Sequence, residues 1–151
     1  MELMEKILSR ENMLSALKAV KRNKGAAGID KVTVDELDEY FIRKWTEIKT
    51  AILEKKYKPQ PVRRVYIPKS NGKMRPLGIP TVADRVIQQA VAQELVRIFD
   101  TSFSNDSHGF RPQRSCHTAM EQVLQNLNDG YEWVVDLDIE KYFDTVNHDK
   151  L

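Results

Sequence analysis

The chain has 151 residues, a formal net charge of +2, 41% hydrophobic and 30% charged side chains, a globular composition that excludes a disordered or collagen-like chain. No apolar run approaches the roughly 18 residues that cross a membrane, and the first residues lack the pattern of a secretory signal. The single cysteine, Cys116, excludes an internal disulfide framework. We therefore expect a cytoplasmic protein with one domain, or one domain and the start of a second.

The N-terminal third of the sequence has helical patterns. Apolar residues at helical spacing predict a helix over residues 11–23, and the two glycines of residues 23–30 favour a loop. Thr33 and Glu36 match a capping box that would start a second helix. One stripe of that helix would carry the apolar residues Leu37, Phe41, Trp45, Ile48 and Ile52.

Positive charge is concentrated in residues 55–75, which contain eight basic residues and no acidic one. Residues 129–151 show the opposite bias, with seven acidic residues and two lysines. A cationic stretch with interleaved aromatics, here Tyr57 and Tyr66, suits a polyanion such as nucleic acid, although a merely solvated surface fits the charge equally well. The basic residues are Lys55, Lys56, Lys58, Arg63, Arg64, Lys69, Lys73 and Arg75.

The same stretch predicts a β-hairpin. Pro59 and Pro61 end the preceding helix, residues 62–67 favour a strand, and an Asn-Gly pair within residues 70–73 suits a type I′ turn. Residues 73–79 would form the return strand, at a sheet edge because of Pro76. Cations on such a hairpin would grip a triphosphate or merely protect an exposed edge from pairing.

Two further helices are predicted between residues 81 and 127. Thr81 would cap the first and Ser115 the second, and residues 100–114 between them are irregular. That irregular stretch contains His108-Gly-Phe-Arg-Pro112, in which Arg111 would contact a phosphate. The alternative is an ordinary loop anchored by a packed Phe110. The apolar face of the first helix would carry Val82, Val86, Ile87, Ala90, Leu95 and Ile98.

Residues 132–140 alternate between apolar and polar side chains, which predicts a strand with one apolar face. The opposite face would carry Asp136, Asp138 and Glu140 side by side. Carboxylates crowded in this way suit a divalent cation such as Mg²⁺, and they equally suit a strand face that is simply solvated.

Together these segments resemble the reverse transcriptases encoded by bacterial group II introns, with motifs in the family order from about residue 15 to the end. The stretch that resembles the N-terminal extension of such enzymes is Arg22-Asn-Lys-Gly-Ala-Ala-Gly-Ile-Asp30. Those that resemble the first conserved block are Tyr57-Lys-Pro-Gln-Pro61, Ile67-Pro-Lys69 and Arg75-Pro-Leu-Gly-Ile-Pro80. Gly109-Phe-Arg-Pro112 with Arg114-Ser115 resembles the second block, and Val135-Asp-Leu-Asp-Ile-Glu-Lys-Tyr-Phe-Asp144 resembles polymerase motif A.

The resemblance implies an α+β right-hand polymerase fold. Residues 1–54 would form a helical N-terminal extension, residues 55–128 the fingers with the β-hairpin, and residues 129–151 the start of the palm with its first strand. The implied reaction is RNA-directed DNA polymerisation, with an RNA template or intron RNA, a DNA primer and deoxynucleotides as partners.

The resemblance also implies roles for individual residues. Asp138, which stands five residues before Phe143, would bind Mg²⁺ together with the backbone carbonyl of Ile139. Phe143 would exclude a ribose 2′-hydroxyl. The remaining nucleotide contacts would come from Lys69, Arg75, Glu140, Lys141 and Tyr142, and the RNA contacts from Lys58, Arg63, Arg64, Lys73 and Arg111.

The sequence departs from the family pattern at one point, because it contains no Tyr-x-Asp-Asp segment, which supplies further metal ligands in such enzymes. We therefore expect the chain by itself to be inactive as a polymerase and to use Mg²⁺ only with those missing aspartates. The alternatives are an intron-RNA-binding (maturase) module and a reverse transcriptase relative that serves no intron. An incomplete palm strand would also favour a homodimer.

Overall fold

The computed structural model describes residues 2–68, 70, 72–139 and 142–150. Two compact units divide the chain, Met1–Phe103 and Ser104–Leu151. Helices and one two-stranded antiparallel sheet make up the described part, so the expected mixture of helix and strand is confirmed at this coarse level. None of the helices in the described ranges is long and apolar enough to cross a membrane.

Within its described residues, the first unit contains four α-helices and the sheet. They are α1 (Leu3–Ile7), α2 (Arg10–Arg22), α3 (Leu37–Leu53), β1 (Arg63–Pro68), β2 (Met74–Ile79) and α4 (Val82–Phe99), followed by a 3₁₀ turn at Asp100–Ser102. The second unit contains α5 (Cys116–Asn128), α6 (Tyr142–Thr145) and a 3₁₀ turn at His148–Lys150.

Local hydrogen bonds explain where the first long helices begin. Ser9 caps α2 by accepting the Asn12 backbone N–H at 3.3 Å, close to the predicted start. Helix α3 begins only at Leu37 because the Thr33 hydroxyl donates to the Glu36 carboxylate, at 2.8 Å, and is not the helix cap. The Glu36 carboxylate also accepts the Thr33 backbone N–H at 2.9 Å, so half of the predicted capping box forms.

The core of the first unit lies where α1, α2 and α3 pack on α4. The predicted stripe of α3 is confirmed: three of its members are buried and two are packed at the edge of the core. A buried amide ties three helices together, since Asn12 Nδ2 donates to the Ile7 and Ala90 carbonyls, at 2.9 Å each. Such bonds contribute about 1 kcal/mol apiece. The most deeply buried core residues are Ala16, Leu37, Val82, Val86 and Ala90.

The predicted hairpin is confirmed, with strand boundaries shifted by one residue. Antiparallel pairing runs from Arg63 opposite Ile79 to Pro68 opposite Met74. Gly72, in the connecting loop, has a φ of +78°, which favours glycine. Asn71 lies outside the described residues, so the predicted type I′ turn stays a prediction.

The predicted strand over residues 132–140 is wrong for its described part, because residues 131–139 lie in neither strand nor helix. A strand needs a hydrogen-bonded neighbour, and the sheet within the described ranges consists of β1 and β2 alone. The predicted start of α5 is confirmed, since Ser115 caps it by accepting the Thr118 backbone N–H. Gly130, with φ +95°, follows the end of that helix.

Candidate nucleic-acid-binding surface

The cationic hairpin, residues 63–79, presents its arginines on two faces. Side chains alternate along a strand, and directly opposed residues share a face. Arg75 lies opposite Ile67, so Arg75 and Arg63 lie on one face, about 13 Å apart along the strand direction. Arg64 lies on the other face, next to Tyr66 along that strand. All three arginines are exposed, so the structure brings two of them to one surface and separates the third.

Three lysines of residues 55–75 were also predicted to contact RNA or a nucleotide, namely Lys58, Lys69 and Lys73. Lys58 and Lys73 are both exposed, Lys58 in the segment before β1 and Lys73 in the hairpin loop. Lys69 lies outside the described residues, and its predicted contact with a triphosphate stays a prediction.

Asp84 joins the cationic hairpin to α4, and the sequence analysis missed it. Its side chain is only 2% exposed and accepts hydrogen bonds from the Tyr57 hydroxyl (2.5 Å), the Gln60 backbone N–H (3.1 Å) and the Thr81 hydroxyl (2.6 Å). Burial raises the pKa of the Tyr57 hydroxyl above its ordinary value, and the hydrogen bond to Asp84 raises it further. The Thr81-x-x-Asp84 spacing is a capping-box pattern that could have revealed this role.

The glycine-containing loop before α3 packs against the start of α4. A Cβ atom added to Gly28 would lie 2.6 Å from the Thr81 Cα, so the two backbones are in contact there. Next to it, Arg85 Nη2 donates to the Ala26 carbonyl at 2.6 Å. The stretch that resembles the N-terminal extension is therefore attached to the same helix end as the hairpin.

In the second unit, the irregular loop differs from both interpretations of the sequence. Phe110 is fully exposed, with a relative exposure of 109%, so it does not anchor the loop. Arg111 is half-buried, and its Nη1 donates to the Ser104 and Ser107 carbonyls, at 2.6 and 3.0 Å. Its guanidinium thus holds the loop together.

The expected metal site does not assemble in the described part of the chain. Asp136 and Asp138 are both exposed, on a segment without strand pairing, so the predicted row of carboxylates on one strand face is not formed. No cluster of three or more His, Cys, Asp or Glu side chains is found among the described residues. The Asp138 carboxylate and the Ile139 carbonyl are hard oxygen donors of the kind that Mg²⁺ prefers, yet they fill only part of its octahedral shell.

Of the nucleotide contacts predicted within residues 140–143, only Tyr142 has a described side chain. Tyr142 begins α6 and is exposed. Glu140 and Lys141 lie outside the described residues, and of Phe143 only the backbone, within α6, is described. Their predicted roles remain untested.

Comparison with known proteins agrees with the motifs. The family model described as reverse transcriptase (RNA-dependent DNA polymerase) matches residues 67–151. Protein YkfC of Escherichia coli is 40% identical over 152 residues, which cover 97% of this chain and 40% of that protein. The group II intron-encoded protein LtrA of Lactococcus lactis is 47% identical over 129 residues, or 83% of this chain and 21% of LtrA. The chain thus spans less than half the length of either relative.

Proposed function

Since this chain belongs to the reverse transcriptase family and resembles a group II intron-encoded member, we propose that it is the RNA- and nucleotide-binding fingers and first palm segment of an RNA-directed DNA polymerase. The observation that carries the proposal is the exposed cationic hairpin, with Arg63 and Arg75 on one face. Exposed guanidinium groups on a stiff hairpin suit the phosphates of RNA and of a nucleotide. The exposed cations Lys58 and Lys73 lie before β1 and in the hairpin loop, and Arg64 adds positive charge on the opposite face of the hairpin.

In the proposed reaction the primer 3′-hydroxyl loses its proton to solvent and its oxygen bonds to the α-phosphorus of a deoxynucleoside triphosphate. The bond from that phosphorus to the oxygen that bridges it to the β-phosphorus breaks, and pyrophosphate leaves. Lys69 and Arg75 would bind the triphosphate, and Glu140, Lys141 and Tyr142 would form the floor of the nucleotide site. The Phe143 ring would occupy the space that a ribose 2′-hydroxyl needs. Asp138 and the Ile139 carbonyl would hold Mg²⁺, which when bound neutralises charge on the reacting phosphate.

Charge reversal tests the proposed RNA surface. We expect Arg63→Glu with Arg64→Glu to weaken binding to RNAs of unrelated sequence alike, because contacts to phosphates carry no sequence information. The matched control is Arg43→Glu with Lys49→Glu, which changes the net charge equally on the exposed side of α3. Fluorescence anisotropy with labelled RNAs measures both. Equal losses in the two variants would contradict a binding surface on the hairpin.

A second candidate function is RNA binding without polymerisation, as in a maturase module. The absence of a Tyr-x-Asp-Asp segment from this sequence favours it for the 151-residue chain. We expect no primer extension by this chain with Mg²⁺ and all four deoxynucleotides, while RNA binding persists. Template-dependent extension that Asp138→Ala abolishes would contradict this expectation. Which RNA is bound, that of an intron or of another element, would be decided by binding competition between them.

Two further proposals concern the state of the protein. We place it in the bacterial cytoplasm, where the exposed Cys116 thiol would stay reduced. We also propose that residues 131–139 mediate a homodimer, because their large apolar side chains are exposed and a segment without strand pairing has backbone groups available for pairing with a second copy.

A further inference from the structure

The cationic hairpin is attached to the helical part of its unit mainly at its two ends. Of the residues in β1 and β2, only Val65 and Ile79 are half-buried, and the rest are exposed. A sheet that buries neither face has little apolar packing to fix its direction. The direction in which the arginines point must therefore be set where the chain enters β1 and where it leaves β2.

Both ends of the hairpin meet at the buried carboxylate of Asp84. On the N-terminal side, the Tyr57 hydroxyl and the Gln60 backbone N–H donate to it. On the C-terminal side, the Thr81 hydroxyl donates to it, and Thr81 Oγ1 accepts the Asp84 backbone N–H at 3.1 Å. One side chain thus links two segments that are separated by the whole hairpin.

The base of this junction is itself held firmly. Asp84 lies in the first turn of α4, between the fully buried Val82 and Val86. The Gly28 backbone lies against Thr81, and Arg85 is bonded to the Ala26 carbonyl. A junction on a packed helix start can transmit a fixed direction to the hairpin, because close-packed interiors deform little.

We propose that Asp84 is the positioning residue that fixes the direction of the cationic hairpin, so that Arg63 and Arg75 engage one polyanion together. A carboxylate suits this place, because three donors converge on it and one of them is a backbone N–H that cannot reverse its polarity. Without it, the donors of Tyr57 and Gln60 lose their partner, and the N-terminal end of the hairpin is released from α4, while the C-terminal end stays joined to that helix through Pro80 and Thr81.

Distance measurement tests this without RNA. Spin labels at Ser70→Cys in the hairpin loop and Gln88→Cys on exposed α4, in a Cys116→Ser background, report the spread of hairpin directions by pulsed electron resonance. We expect a narrow distance distribution for the otherwise unchanged chain, and a broad one for Asp84→Ala with its helical circular dichroism retained. Asp35→Ala, which removes an exposed carboxylate, should leave the distribution narrow. An unchanged distribution in folded Asp84→Ala would overturn the proposal.

Tyr57→Phe provides a milder variant if Asp84→Ala does not fold. It removes one of the three donors and retains the aromatic ring, so we expect a distribution of intermediate width in a folded protein. If Tyr57→Phe kept a distance distribution as narrow as that of the unaltered chain, the proposal would be overturned.

The functional part of the inference rests on the proposed RNA binding, and a second measurement separates the two. We expect Asp84→Ala to bind RNA about tenfold more weakly, with a salt dependence shallower by ~0.7 for each phosphate no longer held. If the unaltered chain does not bind RNA, the proposed function fails and the distance measurement still decides the role of Asp84. If Asp84→Ala broadened the distance distribution but left the salt dependence of RNA binding unchanged, the direction of the hairpin would not be coupled to binding.

Discussion

At the scale of single residues, the start of α4 is held by contacts from several segments of the chain. Gly28, Thr81 and Asp84 are there in direct contact with other segments of the chain. The sequence motif around Gly28 predicted a loop and explained its glycines by their freedom to adopt a positive φ, which Gly28 does not have. The reason is long-range, because the Pro80–Thr81 backbone occupies the space that a side chain would need, and periodicity along a sequence does not report such contacts.

Because Gly28 is in contact with the Thr81 backbone, we predict that Gly28→Ala destabilises the fold. The added Cβ would lie 2.6 Å from the Thr81 Cα, and backbone on both sides must shift, so we expect a loss of about 1–3 kcal/mol in the free energy of unfolding. Gly109→Ala is the matched control, since nothing lies within 4 Å of its added Cβ, and its effect should stay within about 0.5 kcal/mol. Urea unfolding measures both, and equal losses would contradict the account of the contact.

The proposed motif A residues should have separable roles in a full-length reverse transcriptase that contains this sequence. Asp138→Asn removes the charge that would bind the metal, so turnover should collapse with a smaller effect on nucleotide affinity. Phe143→Ala should admit ribonucleotides while deoxynucleotide use survives. Steady-state primer extension with both sugars measures these effects.

Asp136→Asn is the internal control for that experiment. Asp136 stands seven residues before Phe143 and so misses the family spacing, and its replacement should be much milder. If Asp136→Asn were as inactive as Asp138→Asn, the register of the motif would be displaced by two residues. Unchanged sugar discrimination in Phe143→Ala would refute the role of Phe143 as the gate.

At the scale of elements, prediction from sequence succeeded where the signal is local. Helices α2, α4 and α5 have caps and apolar spacing that the sequence displays, and the Asn-Gly pair indicated the hairpin. The strand predicted over residues 132–140 failed because a strand depends on a neighbour that local alternation cannot supply. The proposed binding surface was predicted from the sequence as a cationic hairpin. Its attachment through Asp84 was missed, although the Thr81-x-x-Asp84 spacing is a capping-box pattern.

Because the apolar side chains of residues 131–139 are exposed, we predict that the chain self-associates through them. If two copies pair through this segment with one apolar face shared, Val135→Lys should weaken the dimer, because Val135 lies on the apolar face of the alternation. Val134→Lys is a matched control, since Val134 and Val135 are equally exposed, at 81% each, and Val134 lies on the opposite face. Sedimentation equilibrium measures the dimer, and a chain that is monomeric at every concentration would contradict the prediction.

At the scale of the whole molecule, charge is distributed unevenly along the chain. The net charge of +2 is small, so general attraction to a polyanion is weak, and we expect the proposed RNA binding to depend on residues 55–75. The salt dependence of RNA affinity distinguishes binding at this segment from general attraction. In a plot of the logarithm of affinity against the logarithm of salt concentration, each neutralised phosphate of a single strand contributes a slope of about −0.7.

The most direct test of the central claim is therefore the affinity of the unaltered chain for single-stranded RNA, measured by fluorescence anisotropy from low to moderate salt. We predict a steep fall in affinity, corresponding to several phosphates, and a shallower fall for Arg63→Gln with Arg75→Gln, which neutralises one face of the hairpin. An affinity that stays flat across this range, or a slope that the double variant leaves unchanged, would contradict RNA binding by the cationic hairpin.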